Sequence, residues 1–166
     1  MFIVIVCIVL CIIFTLLILL PLYKNPLSNI LSYPTAIRKR VETLPEYKEI
    51  IGKIKRKNIL NKIIAIIFIA IVLAIISYIS GARTFFNLFL TSFIIFTVVN
   101  LYDLIVLDII IFCHSKKLMI KGTEDMTNEY KSPIHHIRGF FIGIGLGLIV
   151  ALLSGVIIEL YKIILR

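Results

Sequence analysis

The sequence predicts an all-α, polytopic membrane protein of four transmembrane helices, and three observations carry that prediction. Of its 166 residues, 60% are hydrophobic and only 16% charged, against a roughly 45–50% apolar share in soluble domains. The charges are segregated: four long runs are nearly free of them, and Lys and Arg crowd into the segments between. Each run reaches the roughly 20 residues that cross a hydrocarbon layer about 30 Å thick. The chain 1–166 therefore reads as a single membrane domain with spans at about 2–20, 59–79, 84–113 and 139–158, joined by polar loops 21–58 and 114–138.

Residues 2–20 are uncharged throughout. A cleaved signal peptide would carry a basic stretch ahead of its apolar run and small residues after it. No Lys or Arg precedes this run and Pro21, Leu22 and Tyr23 follow it, so the segment is expected to stay as an anchor. Cys7 and Cys11 fall four apart on one helical face, where free thiols act as small packed residues. Side chains on one regular helix do not meet disulfide geometry readily. Cys113 is read as packed in the same way.

The first loop carries nine Lys and Arg, Lys24 to Lys57, against Glu42, Glu46 and Glu49. Pro21, Pro26 and Pro34 keep its first half irregular. Thr43-Leu44-Pro45-Glu46 then reads as a helix start, with Thr43 and Glu46 forming a capping box and Pro45 in the first turn. Tyr47, Ile50, Ile51 and Ile54 form an apolar stripe on that helix, which lies at the membrane surface or runs into the second span. Lys62 can snorkel from the second span toward this basic side. Ser80 to Arg83 is a short link, so spans two and three form a helical hairpin. The third span, at 30 residues, is longer than a crossing needs and permits tilt or an extension. Gly122 and Pro133 punctuate the loop that follows.

In the fourth span Gly139, Gly143, Gly147, Ala151 and Gly155 recur every four residues. Such a stripe lets another helix approach closely, because association in lipid depends on packing. The third span is the first candidate partner, and a second copy of the chain is the alternative.

Orientation follows from the basic residues. The first and third connections carry nine and five, and the middle one carries Arg83 alone. Both large loops should then be cytoplasmic, with both termini outside, in a bacterial-type cytoplasmic membrane. The net charge of +9 reports on topology and on anionic lipid at the basic stretch 36–57, each nearby cation adding about 1 kcal/mol. No nucleic-acid motif accompanies it.

The candidate site lies in the third span. Asp103 and Asp108 fall inside an apolar segment, where a charge costs about 2.5–3.5 kcal/mol on insertion scales and is by default functional. At 100° per residue, Thr97, Asn100, Asp103, Asp108 and His114 share about half the circumference. The two carboxylates stand about 140° apart on that wheel, flanking the face without stacking. The face opens toward the 114–138 loop, where Glu124, His135, His136 and Arg138 extend the set of ligand or ion candidates. Carboxylate and imidazole suit acid–base work or a divalent metal, and Asp103, Asp108 and His114 are the candidate ligands. The spacing matches no metal signature, and no catalytic residue or cofactor is named by it. The plainer reading pairs Asp103 and Asp108 with Arg138, Lys116 or Lys117 to fix helix packing. The Lys121-Gly122-Thr123-Glu124-Asp125 turn could present amides to an anion, or be a solvated loop.

The segments Tyr102-Asp103-Leu104-Ile105-Val106-Leu107-Asp108, Phe112-Cys113-His114 and Lys121-Gly122-Thr123-Glu124, followed by Tyr130 and His135, resemble a pattern in uncharacterised small four-span membrane proteins of bacteria. The likeness covers about the last 70 residues. It implies that the third span, its loop and the fourth span act as one unit, and it brings no activity with it.

Three functions fit these residues: binding or translocation of an ion, proton or small solute; a membrane-embedded enzyme acting on a lipid or isoprenoid headgroup; or a non-catalytic subunit or regulator of a membrane complex. Four short spans enclose too little room for a wide pathway, so a pore would require a homo-oligomer.

Overall fold

The computed structural model describes residues 1–164, and of residues 55–59 the backbone alone. The side chains of Lys55, Arg56 and Lys57, counted above in the basic loop, and Arg166 lie outside the described residues. The fold is built of helices, with no strand among the described residues. In order these are α1 (Phe2–Lys24), a 3-10 segment (Pro26–Ser32), α2 (Thr35–Thr43), α3 (Pro45–Ile79) and α4 (Phe85–Tyr102). A π-helical continuation (Asp103–Ile111), two 3-10 turns (Phe112–His114, Lys116–Leu118), α5 (Thr127–Lys131) and α6 (Ile134–Ile164) complete the chain. Four helical stretches are long and apolar enough to cross a membrane: Phe2–Lys24, Leu60–Ile79, Phe85–His114 and Ile134–Ile164. This is the architecture of a multi-pass membrane protein.

Two local expectations change. Pro21 does not end α1, which runs on to Lys24. Asn25 then stops it, its side chain accepting the Leu27 N–H at 3.1 Å while Pro26 opens the next segment. At the start of α3, Pro45 holds the first helical position, but Leu44 occupies the cap and no side chain caps the helix. Thr43 belongs to the last turn of α2 and its hydroxyl donates to the Arg40 carbonyl at 2.7 Å, the back-bonding that competes with capping. From Pro45, α3 runs unbroken for 35 residues, about 50 Å of rod.

Within the bundle, α4, α6 and α3 pack on one another, and α1 lies at the edge with only Cys7 and Leu22 buried. The small-residue stripe of α6 faces α4. A Cβ on Gly147 would come within 2.7 Å of the Phe96 ring, one on Gly155 within 2.8 Å of Phe85, and one on Gly143 would run into the Asn100 amide. Ala151 is buried, whereas Gly139 meets nothing within 4 Å. Buried hydroxyls tie the helices together: Ser77 to Ser92 at 2.9 Å, and Ser154 donating to the Ala70 carbonyl at 2.9 Å. Thr15 and Tyr102, 2.8 Å apart, hold α1 against α4. Each such bond between apolar helices contributes about 0.6 kcal/mol.

At one end the two large connections fold together as a cap with its own core. Leu22, Ile30, Tyr33, Ile37, Val41 and Ile51 come from the first; Phe112, Cys113, Leu118, Ile120 and Tyr130 come from the second. Tyr33 is fully buried; its hydroxyl donates to the Leu118 carbonyl at 2.9 Å and its ring meets Phe112 edge-on at 4.8 Å. The Tyr130 hydroxyl accepts the Ile120 N–H at 3.0 Å and bonds the Thr123 hydroxyl at 2.8 Å. Burial pushes both phenols above their ordinary pKa.

The Lys121 to Asp125 turn is anchored to this core through Thr123, while Lys121, Glu124 and Asp125 stay exposed. Thr123 is fully buried, and Gly122 takes a φ of +87° that only glycine adopts readily. Its N–H is already taken by the Glu124 carboxylate at 2.9 Å, so it is not free for an anion. At the opposite end Arg83 stacks over Tyr78, 4.1 Å from the ring centre, and Lys162 pairs with Glu159 at 2.8 Å.

Candidate functional site

A cavity of about 340 Å³ lies where the bundle meets its cap. Ile18 and Leu22 of α1 form one wall, and Asn100, Asp103, Leu104, Asp108 and Phe112 form the back. His135, His136, Gly139, Phe140 and Ile142 of α6 form the other wall, with residues 29 and 31–33 of the cap as roof.

The back wall owes its chemistry to the change of helix type. From Asp103 to Ile111 the backbone is π-helical, bonded i→i+5, so residues five apart fall nearly one above the other. Asp103 and Asp108 are five apart and both line the cavity. The separation by about 140° expected of an α-helix is corrected by this wider turn. π-turns inside helices are frequent at functional sites.

The two carboxylates differ in their surroundings. Asp108 Oδ1 lies 2.9 Å from Nδ1 of His136, whose side chain is 4% exposed. An imidazole N–H donates to the carboxylate there, and Phe112 packs edge-on against the ring at 4.9 Å. The other ring nitrogen, Nε2, is buried without a hydrogen-bond partner. Asp103 has neither a salt bridge nor a hydrogen bond to a described side chain, and it lines open space. Asn100, one turn earlier, donates from Nδ2 to the Phe140 carbonyl at 3.1 Å and so ties the back wall to α6.

Of the residues singled out in the sequence, the cavity gathers Asn100, Asp103, Asp108, His135 and His136. The adjacent histidines both reach it, their rings 5.6 Å apart. Three others stand elsewhere. His114 is exposed, and its Nδ1 lies 2.9 Å from the Ile109 carbonyl, where it closes the end of the helix. Glu124 folds back on its own turn, and Arg138 is exposed on α6, away from the lining. The ligand set Asp103, Asp108 and His114 is therefore not assembled, because the tight 3-10 turn at Phe112–His114 carries that imidazole off the face. Among the described residues no group of three His, Cys, Asp or Glu side chains is placed to hold a metal ion. The plainer reading changes its partner: Asp108 pairs across to His136 of α6, not with Arg138, Lys116 or Lys117.

Asn29 and Ser32 of the roof were not foreseen, and nothing in their polar, proline-flanked segment marks them as facing the third long helix. Gly139 also lines the cavity, so it belongs to the site and not to the packing stripe.

No protein-family model matches this chain, and no curated protein or solved structure shows significant similarity to it.

Proposed function

We propose that this protein binds or translocates a cation, a proton or a small cationic solute at Asp103, in a cytoplasmic membrane and with its cap in the cytoplasm. The single observation that carries the reading is the unpaired Asp103 carboxylate on an open cavity, beside an Asp108 already satisfied by His136. An unpartnered carboxylate in apolar surroundings is costly, and a cation arriving there removes the cost. The orientation rests on both basic connections, 21–58 and 114–138, folding into the same cap.

The enzyme reading draws less support. It calls on Asp103 and Asp108 as metal ligands or base, but Asp108 is already held by His136 and no group of three metal-binding side chains is gathered among the described residues.

Reconstitution in liposomes tests the proposal. Under an imposed gradient of protons, K⁺ or an organic cation, the intact protein should support flux or cation uptake that Asp103→Asn reduces at least tenfold while its helix content is unchanged. Equal behaviour of the two proteins would refute the role of Asp103.

A further inference from the structure

The shape of the cavity narrows the ligand class beyond the reading above, on which this inference rests. We infer that the site takes an organic ammonium group carried on an apolar body, which reaches Asp103 sideways from the membrane between α1 and α6.

Volume comes first. A bare ion needs a tight shell of several donors, and no three metal-binding side chains are gathered among the described residues. At about 340 Å³ the cavity instead falls at the lower end of small-molecule sites, roughly 300–1,000 Å³.

The lining comes second. Ile18, Leu22, Leu104, Phe140 and Ile142 make an apolar side, and the polar groups, the unpaired Asp103 carboxylate among them, gather at the back and roof. Few polar groups converging in an apolar site are what an amphiphilic ligand requires. Ammonium groups suit such a place because they combine a positive charge with apolar substituents.

Access comes third. α1 and α6 both line the cavity but are not a closely packed pair. Ile142 at that rim is 69% exposed and Gly139 beside it is exposed. An apolar rim on the flank of an apolar helix faces lipid. The route through the cap is electrostatically poor for a cation, because the Arg38 guanidinium donates to the carbonyl of Leu31 in the roof. The flank is the open path.

The full chain in phosphatidylcholine nanodiscs provides the test. It contains no Trp, so Ile142→Trp places a single fluorophore at the rim. Dodecyltrimethylammonium, below its micellar concentration, should shift the emission saturably. Asp103→Asn in that background should weaken the apparent Kd at least tenfold. Tetramethylammonium, which lacks the apolar body, should need at least a hundredfold higher concentration. Dodecyl maltoside, uncharged on the same alkyl chain, should give no saturable shift.

A second variant covers the case in which Asp103→Asn fails to fold. Gly139→Leu adds bulk where a Cβ meets nothing within 4 Å, and it should abolish the dodecyltrimethylammonium response. Unchanged affinity in either variant overturns the inference. If protons or K⁺ alter the emission in an Asp103-dependent way while dodecyltrimethylammonium does not, the ligand class falls and the site reading stands. If nothing depends on Asp103, both fall.

Discussion

Asp103 and Asp108 sit five residues apart on one cavity wall, because the helix between them is wound as a π-helix. They divide the work: Asp108 holds His136 and Asp103 is left open to the cavity. Their removal should therefore have opposite consequences. Asp108→Ala leaves a buried imidazole N–H without its acceptor and should cost about 2–3 kcal/mol. Asp103→Ala removes a carboxylate that has no partner and should leave stability unchanged or raised. Thermal melts in detergent compare the two, and a larger loss from Asp103→Ala would contradict this division.

The contact between α6 and α4 is uneven along its glycines. Gly147→Leu drives a side chain into Phe96 and should cost about 1–3 kcal/mol through overpacking. Gly145→Leu meets nothing within 4 Å and should be tolerated. A melting temperature that falls equally for both would remove the close approach as an explanation.

In the cap, Tyr130→Phe deletes one hydroxyl that serves both the Ile120 N–H and Thr123. Both are buried, so the expected cost is about 1–3 kcal/mol. Limited proteolysis should show faster cleavage between residues 115 and 133, with the long helices still protected. Unchanged cleavage would mean that the hydroxyl adds nothing to the cap.

Alkali should open the same cap. Burial holds the Tyr33 and Tyr130 phenols neutral in the folded protein and raises their pKa. The unfolded chain would ionise them near pH 10. Their contribution is thus complete below about pH 10 and is lost as the pH climbs toward the folded values. Tyr33 and Tyr130 should titrate late at 295 nm, coincident with loss of near-ultraviolet circular dichroism. Ionisation of both phenols near pH 10 with the circular dichroism intact would show that they are not held by the core.

The proposed orientation is open to labelling. With Cys7, Cys11 and Cys113 replaced by Ala, an impermeant maleimide applied to intact cells should modify Ser80→Cys in the short hairpin link. It should reach Asn128→Cys in the cap only after the membrane is broken. The reverse pattern would invert the topology.

The long helices were legible because their cause is local: an uncharged run of some 20 residues has few other fates. The cap was not. Ile30, Tyr33, Ile37 and Val41 already carry a stripe at three- and four-residue spacing, but in a basic, proline-broken stretch its partner lies beyond two further long helices, at Leu118 and Tyr130. Polar residues of the third long helix were readable as a set, yet their relative angle was not. Nothing in Asp-Leu-Ile-Val-Leu-Asp reveals that the backbone abandons the α-helical pitch. His136 was readable as a candidate, but its pairing with Asp108 depends on where α6 begins.

The bond from Tyr33 to Leu118 bridges 85 residues, and this sets a timetable for synthesis. While the ribosome makes the intervening hairpin, Tyr33, Ile37 and Val41 have been translated but lack half of their core. Only when Leu118 and Tyr130 emerge can the cap close, and the roof over Asp103 with it. The cavity therefore comes into being late, after the third long helix is complete, and a nascent chain stopped earlier carries the carboxylate without its enclosure.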